Sequence, residues 1–239
     1  MAFVLPVHVA MKEEDGLAAP VSPVRLAPAR LFEAAAVLGR ALVDDPLFVY
    51  LLPDAAQRAS GVPLTMQSML RIGLERGEVW ATLPPITGVT CWLPPAHPTV
   101  TAEERDATGW HEVATVWGAE VLARFAAFGD DLGGVVESLP PEPHWHLSWL
   151  GVEPNHQGQG IGSMLVRQVT TRADAAGVAC DVFTLAPRNV PIYEHLGFCV
   201  MRETFLPRSG LRFWVMARPP PSIDTGSQHP VSRSVERRK

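Results

Sequence analysis

No part of the chain constrains the fold as strongly as the run from His144 to Leu185. Its opening stretch, to Val152, alternates: Trp145, Leu147 and Trp149 are predicted to point one way and His144, His146, Ser148 and Leu150 the other, the period of two that defines a strand. A glycine-rich turn follows. From about Ile161 to Ala176 the apolar residues Leu165, Val166, Val169 and Ala173 return at helical spacing, and Gly177 supplies a helix stop. Val178 to Leu185 then reads as a second apolar strand. Strand, helix and strand in that order make a βαβ unit, whose two strands must lie parallel.

The remaining segments predict one α/β domain over residues 23–218 with a mixed sheet, set between a flexible extension at 1–22 and a disordered tail at 219–239. Val24 to Ala27 suits a short strand. After Pro28, Leu31, Ala35, Leu38 and Leu42 predict a helix that Asp44, Asp45 and Pro46 stop, and Pro63 to Arg76 predicts another. Glu78 to Leu83 and Gly88 to Leu93 read as paired strands around Pro84-Pro85. Thr101 to Leu139 is helix-prone and carries core-forming Trp110, Val113, Trp117, Val121, Leu122, Phe125 and Phe128. Pro187 to Leu196 predicts a short helix, and Phe198 to Phe205 with Leu211 to Ala217 a hairpin.

Composition narrows the partners. A formal net charge of -5 offers no general basic surface, so nucleic acid is not expected and any anionic ligand must be held locally. No apolar run approaches the ~20 residues of a membrane span, and Met1 to Ala10 lacks a basic start, so neither a membrane partner nor a signal peptide is expected. The expected compartment is cytoplasmic. Cys91, Cys180 and Cys199 show no metal-binding spacing and are expected to be ordinary core thiols; no metal is predicted.

The glycines of the turn stand where a strand hands over to a helix. The first ~four N–H groups of a helix lack internal partners and its start carries about half a positive charge. Glycines that allow close approach turn such a start into a phosphate socket, with the N–H groups from Gly158 to Ser163 as donors. Glycines that only make a tight turn would read the same in isolation. A P-loop needs Lys and then Ser or Thr after its last glycine, but Gly162 is followed by Ser163 and Met164. A dinucleotide fingerprint needs a third glycine where Ser163 or Leu165 stands.

A third pattern fits residue by residue. Val152, Glu153, Pro154, Asn155, His156, Gln157, Gly158, Gln159, Gly160, Ile161 and Gly162 resemble the acetyl-coenzyme A signature of the GNAT superfamily of N-acetyltransferases, with Gln157, Gly160 and Gly162 in its three defining positions. The block from Ala186 to Phe198 resembles that family's later motif, with Asn189 at a cofactor-contacting Asn and Tyr193 ahead of Leu196, Gly197 and Phe198. With an early Asp45-Pro46, the two blocks are similar to the branch that contains puromycin N-acetyltransferase. The resemblance implies a twisted, mostly antiparallel sheet flanked by helices, and acetyl-coenzyme A as cosubstrate without a metal. It implies transfer of acetyl to a primary amine of a small molecule, an antibiotic or metabolite among the candidates, by a monomer or homodimer. Leu150, Gly151 and Val152 would splay from the neighbouring strand and pair with the pantetheine, while Gln157, Gly158, Gln159, Gly160, Ile161, Gly162, Ser163, Asn189 and Tyr193 would complete the cofactor site. The alternatives are a non-catalytic acetyl-coenzyme A sensor and a protein-modifying acetyltransferase.

Acetyl transfer from a thioester needs a fixed donor, a neutral amine, a group facing the developing oxyanion and a proton for the leaving sulfur. Tyr193 is the expected acid, since a phenol of pKa about 10 is protonated at neutral pH. It stands one helical turn after Asn189, so both can face one ligand. His146, whose unperturbed pKa is near 6.5, is the first candidate base, placed by the alternation on the same strand face as Ser148 and Leu150. Glu142, Glu103 and Glu104 are further candidates.

Overall fold

The computed structural model describes residues 22–97, 99–136 and 143–221. The two terminal extensions and Glu142 therefore fall outside the described residues, apart from Ser22 and residues 219–221. Seven strands form one sheet in the order β1 (Ser22–Arg25), β2 (Glu78–Leu83), β3 (Gly88–Leu93), β4 (His144–Val152), β5 (Ala179–Thr184), β7 (Arg212–Arg218) and β6 (Cys199–Phe205). Only β4 and β5 are parallel, because α6 (Ile161–Ala175) carries the chain across between them; every other neighbouring pair is antiparallel. The mixed, mainly antiparallel sheet expected from the sequence is therefore present.

Helices cover both faces. On one side α1 (Leu31–Leu42), α2 (Pro46–Leu51), α3 (Ala55–Arg76) and α5 (Trp110–Val136) share a core with Val79, Val89, Phe213 and Val215 of the strands. On the other, Leu165, Val166 and Val169 of α6 are buried, and Val166 and Val169 share a second core with Tyr193 of α7 (Val190–His195), Leu147, Val182 and Met216. The short α4 (Ala102–Ala107) begins with a capping box, in which Thr101 and Glu104 satisfy each other's backbone N–H groups.

Three local expectations change. Asp45 starts a helix instead of ending one: its side chain accepts the Leu47 N–H at 3.0 Å and caps α2. Asp54 does the same for α3, accepting the Gln57 N–H at 2.8 Å, so that helix begins eight residues before Pro63 and runs through it. The segment expected as one helical stretch from Thr101 divides into α4 and α5, and α5 is kinked at Gly118, where the backbone leaves the helical region (φ 74°, ψ 170°).

The change that bears on function lies in β4. Cys91 of β3 pairs with Trp149, but its neighbour Trp92 pairs with Leu147, so Ser148 is an extra residue and β4 carries a bulge. The side-chain alternation reverses there. Leu147 belongs to the α6-side core and Leu150 packs against it, whereas Trp149 packs on the α1 side, stacked on Phe48 with ring centroids 6.1 Å apart. Trp145, Leu147 and Trp149 therefore do not share a face, nor do His146 and Leu150. Pairing between β4 and β5 covers only His144–Leu147 with Ala179–Val182. Beyond it the strands part, β4 following β3 and β5 following β7. Among the described residues no helix is long and apolar enough to cross a membrane, and no cluster of three or more His, Cys, Asp or Glu side chains is placed to hold a metal.

Candidate active site

The split between β4 and β5 opens into a cleft of about 610 Å³. Leu150, Gly151 and Val152, on the stretch of β4 that β5 does not pair, form one wall. The start of α6, with Gln157, Gly158, Gly160, Ile161, Gly162 and Ser163, forms one end. Asn189, Tyr193 and their neighbours on α7 form the opposite wall, and Ala41, Leu42 and Asp45 close the side toward α1.

At the turn the need for glycine is a backbone need. Gly158 and Gly160 have φ of 77° and 79°, a region that side chains with a Cβ rarely adopt, and a Cβ at either would meet nothing within 4 Å. Gly160 is the N-cap of α6, so the free N–H groups of the helix start open toward the cleft through a turn without side-chain bulk. Gln157 braces this turn by donating from Nε2 to the Val152 carbonyl at 3.1 Å. Gln159 does not join the cleft; it is exposed, and its Nε2 reaches the Asn155 carbonyl at 3.5 Å. Asn189 lines the cleft and donates from Nδ2 to Thr184 Oγ1 at 3.1 Å, which fixes the end of β5 to the loop before α7.

Tyr193 is buried, its ring edge-on to Phe198 with centroids 5.8 Å apart. Burial, and secondarily the charge of Asp45, raise its pKa above the ordinary phenol value, so it is a proton holder throughout the neutral range. The Asp45 carboxyl is itself raised by burial, partly offset by the Leu47 N–H and by the charge of Arg188. Sequence reasoning placed neither Asp45 nor Arg188 in the site. The signal for Asp45 was its place one residue before Pro46, the pattern of a helix N-cap; Arg188 lay inside the second sequence block without an assigned role.

His146 is not a lining residue of the cleft. The bulge at Ser148 turns it to the face that carries α1 and α5, where its ring lies 4.8 Å from that of Phe183. Its Nδ1 sits 3.0 and 3.1 Å from the two oxygens of Asp181, a carboxylate that is only 3% exposed. A carboxylate can only accept, so Nδ1 carries the proton of this contact. His144 Nε2 lies 3.5 Å from the same carboxylate. Of the cysteines, Cys91 and Cys180 are core thiols as expected, and burial pushes both up to about 12, leaving no thiolate at neutral pH. Cys199 departs from that expectation: it is exposed on β6 and lies outside the cleft.

A parted pair of parallel strands, a glycine-opened helix start and a protonated phenol thus line one cleft. The family is then plain. Residues 74–198, more than half of the chain, match the Acetyltransferase (GNAT) family, and the chain belongs to it. It is similar to an uncharacterised N-acetyltransferase of Schizosaccharomyces pombe, at 22% identity over 82% of each chain. The fold is shared with the histone acetyltransferase HPA2 and related acetyltransferase of Corynebacterium glutamicum, at 18% identity and a TM-score of 0.62 over 84% of this chain and 96% of the other. It is also shared with arylalkylamine N-acetyltransferase 2 of Aedes aegypti, at 12% identity and a TM-score of 0.60 over 84% and 99%.

Proposed function

We propose that this protein transfers the acetyl group of acetyl-coenzyme A to a primary amine of a small molecule, by direct attack of the amine on the thioester. One observation carries the reading: the free stretch of β4, the glycine-opened start of α6 and the buried Tyr193 line a single cleft. Bound there, acetyl-coenzyme A supplies an activated acetyl group. The N–H groups from Gly158 to Ser163 hold its phosphates, and the backbone groups along Leu150, Gly151 and Val152 that β5 leaves unpaired, apart from the Val152 carbonyl that Gln157 occupies, hold the pantetheine and face the thioester oxygen. Asn189 and Gln157 keep the two walls in place through Thr184 and Val152.

Tyr193 gives its proton to the departing sulfur. His146 is the candidate base: because it stands in the paired stretch of β4 and does not line the cleft, the amine proton would pass to it through water, and Asp181 fixes its ring through Nδ1. Membership of the GNAT family supports acetyl transfer, and the fold shared with the Aedes aegypti arylalkylamine N-acetyltransferase is compatible with an amine acceptor. Release of free thiol from acetyl-coenzyme A, measured with a panel of primary amines, tests the reading. Turnover with at least one small amine is expected; tight coenzyme A binding without turnover would favour a sensor instead.

A further inference from the structure

Among the described residues that line the cleft, Asp45 is the only carboxylate. The other ionisable groups with a cationic form are Arg188, His156 and His195, and the positive end of α6 adds to them. That set suits a polyphosphate. Asp45 does not, because a negative charge in the same cleft repels phosphate. Within the described residues it receives one hydrogen bond, from the Leu47 N–H, and forms no ion pair. The adjacent Asp44 has a different setting, exposed to solvent and 3.5 Å from Arg58. The charge of Arg188 reaches it only through space, with no contact between the two, so burial still raises the cost of its charge, and a cation that enters the cleft and pairs with it directly lowers that cost.

Its position fits a second substrate. Asp45 joins α1 to α2, which pack on the face of the sheet that carries His146, whereas Tyr193 belongs to the α6 side. The carboxylate thus stands where the two faces meet at the cleft, close enough for its charge to act on the Tyr193 phenol.

We propose that Asp45 recognises the acceptor by pairing with the ammonium group of a primary amine, so that the acceptor class is a cation at neutral pH rather than an aniline or an amide. This rests on the cleft being the acetyl-transfer site.

Asp45→Asn removes the charge and preserves the fold, since Asn caps a helix about as well as Asp. With the full chain saturated by coenzyme A, which has no acetyl to give, n-butylamine, 2-phenylethylamine and putrescine are titrated beside 1-butanol, 2-phenylethanol and 1,4-butanediol. At least one amine is expected to bind at least tenfold more tightly than its alcohol, and the Asp45→Asn variant to lose that preference while binding coenzyme A at least as tightly as the unaltered chain does. Equal binding of every amine and its alcohol, or a preference that survives the substitution, overturns the proposal. In turnover the variant is expected to raise the KM of the amine at least tenfold. Transfer with an amine KM within twofold of the unaltered chain would sink this inference and leave the acetyl-transfer reading standing. A charge preference that depends on Asp45, without any thiol release, would do the reverse.

Discussion

Tyr193 shows how much a single position owes to its surroundings. In the sequence it is a phenol ahead of Leu-Gly-Phe; in the fold it is a buried phenol beside a carboxylate, and both features push its pKa upward. A raised pKa keeps the acid form to higher pH, so the sign of the effect is that protonation is complete at neutral pH and is lost only above the ordinary phenol value of about 10. Activity should therefore show no alkaline fall from this group below about pH 10, as a kcat profile would reveal. Tyr193→Phe should lower kcat by about 10²–10⁴ while acetyl-coenzyme A binding changes little, the range expected for loss of one positioned acid. Full activity of that variant across pH would remove Tyr193 from the mechanism. His146 makes the complementary point. Its identity as a strand histidine was legible, but the face it occupies was not, because one extra residue at Ser148 reverses the alternation and nothing in the local pattern of apolar side chains marks it.

Among the elements, α1 decides where Asp45 stands, and it does so through contact with β4. A Cβ on Gly151 would lie 2.8 Å from Leu38 Cδ2 and 2.9 Å from the Ala41 Cβ, so glycine is what lets the helix approach the strand this closely. Gly151→Ala should cost about 1–3 kcal/mol by overpacking, seen as a Tm lower by several degrees. It should also weaken amine use more than coenzyme A binding, because the helix it displaces leads into Asp45 and not into the start of α6. Equal losses on both substrates would argue against α1 as the acceptor-side element. The helices of this face were the least legible part of the sequence. Asp45 and Asp54 read as breaks because acidic residues and proline interrupt a periodic pattern, whereas in the fold both are N-caps that start the next helix. Packing of α3 on α1 and α5 outweighs the hydrogen bond that Pro63 cannot make.

For the whole molecule, the cleft lies between two cores, one on each face of the sheet, and is opened by the parting of two strands rather than by a loop. A ligand that bridges the parted strands and the α6 start should therefore stabilise the fold globally. Coenzyme A at about 100 times its dissociation constant should add ~2.7 kcal/mol, or about 5–10 °C in Tm for a domain of this size. Gly160→Ala should reduce that shift sharply at any fixed coenzyme A concentration. The substitution itself should cost only about 1–2 kcal/mol, since its left-handed backbone is strained by a Cβ that otherwise clashes with nothing. A shift of the same size in the variant would mean that the turn does not hold the phosphates.

What the sequence determined by itself was local and periodic: the βαβ order around α6, the positions of β2, β3 and β4, and the glycine turn whose place before a helix implies an anion. These follow from periods of two and 3.6 residues and from the backbone demands of glycine, which a short window contains. What only the tertiary structure decided was which elements meet. The order of β7 before β6, the bulge that sends His146 to the α1 side, and the approach of Asp45 to Tyr193 across 148 residues of chain depend on packing between distant segments. No window of sequence carries that information, because the free energy that fixes it comes from burying the two faces of the sheet at once.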